Sequence, residues 1–92
     1  MFEEIYCRVD GRVQMVMFRD FAQRKARGLD LVGFVKNLPD GTVEVVAQGI
    51  PDALKKYIEH LHEGSILSRV ESVAVDWRAP SGQFDDFVIA YV

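Results

Sequence analysis

Leu31-Val32-Gly33-Phe34-Val35-Lys36-Asn37-Leu38-Pro39-Asp40-Gly41-Thr42-Val43-Glu44-Val45-Val46-Ala47-Gln48 carries the clearest structural signal in the chain. Two β-rich runs, 31–36 and 42–48, flank Leu38-Pro39-Asp40-Gly41. Proline presets φ and glycine accepts positive φ, so these four residues read as the turn of a hairpin. Upstream, Phe18, Ala22, Ala26 and Leu29 recur near helical spacing, with Arg19, Gln23, Lys25 and Arg27 largely elsewhere. Gly28 is a natural stop, and the spacing predicts a helix over 18–28. Downstream, Pro51 suits a first helical turn, where its missing N–H costs nothing, and Leu54, Ile58 and Leu61 follow on one face before Gly64. That predicts a second helix over 51–63. At the start of the chain Ile5, Cys7 and Val9 alternate with Tyr6, Arg8 and Asp10, giving a strand over 4–10 that ends at Gly11. Val73, Val75 and Trp77 alternate with Ser72, Ala74 and Asp76 as a fourth strand, and Phe87, Ile89 and Tyr91 suggest a short fifth.

The order β-α-β-β-α-β plus one strand describes an α+β, ferredoxin-like split-βαβ sandwich: an antiparallel sheet with both helices on one face. Helix one then starts beside the end of strand one. Ninety-two residues bury only about 60–65% of their unfolded surface, so residues 1–92 are expected to form a single domain. Hydrophobic residues at 49% and charged residues at 27% fit a chain that folds alone. Glycine or charge interrupts every apolar stretch well short of the roughly 20 residues that span a bilayer. Met1-Phe2-Glu3-Glu4 lacks the basic start and apolar centre of a secretory signal, which makes the cytoplasm the expected location. One cysteine, Cys7, permits no internal disulfide and no Cys-rich metal site. A net charge of −3 denies the chain a general attraction for nucleic-acid backbone, so any anion site must be local.

Such a site is suggested between strand one and helix one by Gly11-Arg12-Val13-Gln14-Met15-Val16-Met17-Phe18-Arg19. A loop that hands its N–H groups to a helix N-terminus favours phosphate or carboxylate, and Arg19 adds a planar, always-charged fork matched to phosphate oxygens. The same spacing also suits an ordinary connection with Arg19 solvated in the first turn, and physics alone leaves both readings open. Asn37 likewise reads as a strand-end residue favouring the turn before Pro39.

Gly11-Arg12-Val13-Gln14 followed by Val16, Phe18 and Arg19 resembles the signature loop of the acylphosphatase family. Residues 31–37, Pro39-Asp40-Gly41-Thr42-Val43-Glu44 and Ala47-Gln48-Gly49 resemble its second block in order and spacing, and Phe87 and Ile89 its closing strand. The resemblance covers nearly the whole chain. It implies a metal-free, cofactor-free hydrolase that cleaves the mixed anhydride of a carboxylate and phosphate. A monomer with a small acyl phosphate or inorganic phosphate as ligand is expected, and charge and apolar run lengths point to neither nucleic acid nor membrane as partner. By position, Arg19 matches the arginine that binds the phosphoryl group, the backbone of Val13 to Phe18 matches the cradle around it, and Asn37 matches the asparagine that orients the attacking water. An acyl phosphate has a good leaving group, so positioning and charge stabilisation can carry such a reaction.

Met15 departs from the pattern by standing where the family's loop normally has glycine. A methionine forced into left-handed space costs roughly 1–2 kcal/mol. The consequence is one of three: a strained cradle with reduced activity, a loop that takes ordinary φ and loses activity, or a side chain that points outward. A noncatalytic anion-sensing or interaction domain is the alternative that Met15 raises. Gly64-Ser65, where the family often has Gly-Pro, reads as an exit from helix two far from the site. His60 and His62, two apart on a helix, face different ways and suggest no shared metal. Cys7, Phe21 and Trp77 read as core, and Glu3, Glu4, Asp10 and Asp85-Asp86 as solvated charge at element edges.

Overall fold

The computed structural model describes residues 1–91 and runs β1 (Glu3–Arg12), α1 (Phe18–Gly28), β2 (Val32–Asn37), β3 (Val43–Gly49), α2 (Pro51–Glu63), β4 (Arg69–Arg78) and β5 (Phe87–Ala90). Both helices fall where their apolar spacing predicts. The hairpin forms as its turn chemistry requires: β2 and β3 pair antiparallel from Val32↔Gln48 to Asn37↔Val43, and Gly41 takes φ 91°. Asp40 closes the turn by accepting the Thr42 N–H and hydroxyl at 3.0 and 2.6 Å. Gly28 is the last residue of α1 but not its left-handed stop; that conformation falls to Asp30, at φ 58°.

The sheet order is β4-β1-β3-β2-β5. β1 pairs antiparallel with both β3 and β4. β5 departs from the expected antiparallel sheet, because it lies parallel to β2 from Gly33↔Phe87 to Lys36↔Ala90 and makes the sheet mixed. The reason is the crossing over 79–86, which carries the chain from the β4 edge to the far edge of the sheet, so that the fifth strand enters in the same direction as β2. This topology also sorts the molecule into two poles. The ends of β1, β2, β5 and α2 and the starts of α1 and β4 share one; the start of β1, the end of β4 and the 79–86 crossing share the other.

One apolar core lies between sheet and helices. Ile5, Cys7, Val9, Val35, Val43, Val45 and Ala47 meet Phe18, Ala22 and Ala26 of α1 and Leu54, Tyr57 and Leu61 of α2, all at or below 1% exposure. Burying each large side chain contributes about 1.5–3 kcal/mol. The Tyr57 hydroxyl donates to the Ala22 carbonyl at 3.0 Å, tying α2 to α1, and its ring meets Phe87 edge-on at 5.9 Å. Burial pushes the Cys7 thiol up to about 12, so it packs and does not react at neutral pH. Trp77, expected in the core, is 39% exposed. β4 is an edge strand with one neighbour; even Val73 and Val75 are only half-buried there, and Trp77 lies near its end.

The other face of the sheet is partly roofed by the crossing, where Phe84 packs on Phe34 with ring centroids 6.0 Å apart. Glu4, expected to be solvated, is fully buried: its carboxylate accepts the Gln48 amide at 2.8 Å, the Ser81 N–H at 3.1 Å, the Ser81 hydroxyl and the Arg78 guanidinium. Burial alone would raise its pKa. The bonds from Gln48, Ser81 and Arg78 outweigh that and bring it down to about 2.

Candidate active site

The ladder of β1 with β4 shifts register at a bulge between Asp10 and Gly11, after which Gly11 and Arg12 pair with Val70 and Arg69 of β4. These two residues, expected to open the loop, therefore belong to the strand. A bulge re-aims a chain. Glycine is required at it: φ is 125°, and a Cβ on Gly11 would run into the Arg69 carbonyl.

From Val13 the loop alternates. Val13, Val16 and Phe18 turn into the core, whereas Met15 and Met17 stand out at 95% and 69% exposure. Met15 and Met17 both have positive φ, 58° and 61°. The loop thus keeps the left-handed turn that glycine would take with ease, and the Met15 side chain points to solvent; the ordinary-φ outcome is overturned. A second left-handed methionine, Met17, was not foreseen. It is the N-cap of α1, and its side chain caps nothing. Among the described residues, none accepts a hydrogen bond from the N–H groups of Met15, Val16 or Met17. Alternating φ signs with unengaged donors at a helix N-terminus make a concave, electropositive nest for an anion.

Two long-range bonds hold the loop in place. On one side the Gln14 amide donates to the carbonyls of Leu38 and Thr42, at 2.8 and 2.9 Å, bracing the loop against the hairpin turn. On the other the Ser65 hydroxyl donates to the Val16 carbonyl at 2.9 Å. Gly64-Ser65, expected far from the site, is therefore part of its support, because α2 runs back to the pole where β1 ends.

The pocket beside the loop, about 130 Å³, is lined by Val13, Met15, Met17, Phe18, Arg19, Asp20, Ile89 and Tyr91. Arg19, in the first turn of α1, is half-buried, and its guanidinium carbon lies 5.2 Å from the centre of the Tyr91 ring. A stacked guanidinium keeps its N–H fork free for an anion. Asn37, the last residue of β2, lies outside the pocket lining but joins the same pole through the hairpin turn that Gln14 grips. Its side-chain oxygen is buried without a partner among the described residues. Rotation about χ2 exchanges the amide's oxygen and nitrogen ends. The place of Ile89, Tyr91 and Asp20 in the pocket lining escaped the sequence reading. Tyr91 was legible only as a strand residue, since its approach to Arg19 depends on β5 joining β2.

A family model described as acylphosphatase matches residues 5–89. An acylphosphatase of Methanococcoides burtonii is 50% identical over 94% of this chain and 88% of its own length. One of Salinibacter ruber is 46% identical over 92% of this chain and 90% of its own. The crystal structure of acylphosphatase from Bacillus subtilis superposes with a TM-score of 0.94 at 38% identity, covering 97% of this chain and 99% of that one. Sequence blocks, sheet topology and relatives agree, and the chain belongs to the acylphosphatase family.

Proposed function

We propose that this chain hydrolyses acyl phosphates to a carboxylate and inorganic phosphate, as a monomer in the cytoplasm with its whole length forming one catalytic domain. The observation that carries the reading is the loop 13–18: among the described residues the N–H groups of Met15, Val16 and Met17 have no acceptor and the helix that follows has no side-chain cap, while Arg19 stands in the first turn of that helix. In the proposed reaction the phosphoryl oxygens occupy this nest and accept from the loop N–H groups and the Arg19 fork, which stabilises the charge that spreads over them in the transition state. Asn37 orients a water through its amide. The water oxygen forms a bond to phosphorus in line with the acyl oxygen, whose bond to phosphorus breaks with the electron pair leaving on the carboxylate. The water proton passes to a phosphoryl oxygen, since an amide cannot serve as a base at neutral pH. Neither metal nor cofactor enters the scheme.

The left-handed φ of Met15 supports the expectation of reduced activity through strain in the cradle. Benzoyl phosphate turnover in chelator-treated buffer tests the proposal. Native protein is expected to turn over, and Arg19→Ala and Asn37→Ala to lose at least about a hundredfold in kcat/KM, the scale of removing one preorganised donor, with circular dichroism unchanged. A folded native chain that is stabilised by phosphate but never turns over would instead support the noncatalytic anion-binding reading.

A further inference from the structure

We propose that Ser65 is a positioning residue for the phosphate cradle, holding the Val16–Met17 peptide in the orientation that aims an N–H, rather than a carbonyl, at the anion. The inference rests on the reading of residues 13–18 as that cradle.

Val16 lies between the two left-handed methionines, and its carbonyl accepts the Ser65 hydroxyl at 2.9 Å. A trans peptide is planar, with its C=O and N–H pointing opposite ways, so fixing one direction fixes the other. Met17 lines both the pocket beside Arg19 and the outer groove that contains Val16 and Ser65. The Val16–Met17 peptide is thus a wall between the two. With its carbonyl held on the Ser65 side, the Met17 N–H is turned toward the pocket. Ser65 is itself anchored, because its own carbonyl accepts the Ser68 N–H at 3.0 Å and the Ser68 hydroxyl at 2.8 Å.

The bond matters because the loop has a relaxed alternative. Turning this peptide over changes ψ of Val16 and φ of Met17, and it would release Met17 from a left-handed conformation that a methionine disfavours. The same rotation would replace a donor facing the anion with a carbonyl acceptor. The Ser65 hydroxyl opposes it from a distant part of the chain, so the backbone strain at Met17 is sustained by the α2–β4 turn.

The experiment compares native protein, Ser65→Ala and Ser65→Thr for benzoyl phosphate kinetics, inhibition by inorganic phosphate and thermal unfolding. Loss of one hydrogen bond predicts that Ser65→Ala raises KM and the phosphate inhibition constant together, by about three- to tenfold. Ser65→Thr, which keeps the hydroxyl, is expected to stay within about twofold of native, and the melting temperature of Ser65→Ala to fall by only a few degrees. The joint rise in both constants with rescue by threonine is a pattern that a merely structural role would not produce. Ser65→Ala matching an active, phosphate-inhibited native chain would overturn the assignment while leaving the function standing, and so would a threonine variant as impaired as the alanine one. A folded native chain that neither turns over nor binds phosphate would overturn the function, and this assignment with it.

Discussion

Met15 shows how one residue can break a local rule without breaking the fold. Its left-handed φ costs roughly 1–2 kcal/mol, and its side chain, 95% exposed, returns no packing. Glycine would remove the strain but loses about 0.5–1 kcal/mol more entropy on folding. The difference favours glycine by up to about 1.5 kcal/mol, so Met15→Gly is expected to raise the melting temperature by a few degrees and to lower KM severalfold as strain in the loop is relieved. Thermal unfolding followed by circular dichroism, with kinetics on the same samples, checks both; a lower melting temperature would mean that the Met15 side chain stabilises the loop in a way its exposure does not suggest. Single positions were legible where their conformation depends on near neighbours in the chain: the place of Arg19 in the first turn of a helix follows from a loop running into that helix, and the strain at Met15 from its place in the loop. Met17 was missed because a left-handed methionine has no signature of its own, and Ser65 because its partner lies 49 residues away.

At the level of elements, the 13–17 loop is a connection braced from both sides, and the β2–β3 hairpin is one of the braces. Gln14 gives both amide protons to carbonyls of the turn, Leu38 and Thr42, and the same carbonyls also accept the Gly41 and Leu38 N–H groups at 3.2 and 2.9 Å. Removing the amide therefore leaves neither carbonyl wholly unpaired. Gln14→Ala is expected to destabilise the fold by about 1–2 kcal/mol, the net worth of two such bonds. It should also lower kcat/KM, because the loop and the turn that carries Asn37 would no longer move as one body. Urea unfolding gives the first quantity and benzoyl phosphate kinetics the second; unchanged kinetics in a destabilised protein would show that the brace serves stability alone. Helix bounds were legible because apolar spacing, Pro51 and the glycines mark them locally. β4 extends beyond the predicted 72–77 to Arg69–Arg78, since on an exposed edge strand the alternation that marks a buried face fades. The parallel pairing of β5 depends on where the 79–86 crossing lands, which no local pattern encodes.

Across the whole molecule, the topology places the candidate site at one pole and the buried Glu4 cluster at the other, so stability and catalysis can be perturbed separately. Glu4 sits near the start of β1, and that place at the edge of an element suggested solvent; only the 79–86 crossing, folding back over the sheet, buries it and brings Arg78 and Ser81 to its carboxylate. Its pKa falls from an ordinary 4.5 to about 2 in the folded chain. The sign of the pH effect follows. As pH falls below about 4.5 the unfolded chain takes up a proton that folded Glu4 still refuses, so the stability that ionised Glu4 contributes is complete above that range and is lost on acidification toward about 2. A shift of this size corresponds to about 3 kcal/mol. Glu4→Gln keeps the shape but sets its amide protons against the donors of Gln48 and Arg78, and it removes the titrating group. The variant is expected to be less stable than native by about 2–3 kcal/mol at pH 7, with the gap narrowing steadily between pH 4.5 and pH 2.5 as native protein loses the linked stability. Its folded fraction should hydrolyse benzoyl phosphate as native does, because the candidate site lies at the opposite pole. Denaturant unfolding of both proteins across that pH range decides the matter: a gap that does not narrow would mean that the Glu4 carboxylate is not what couples this fold to acid.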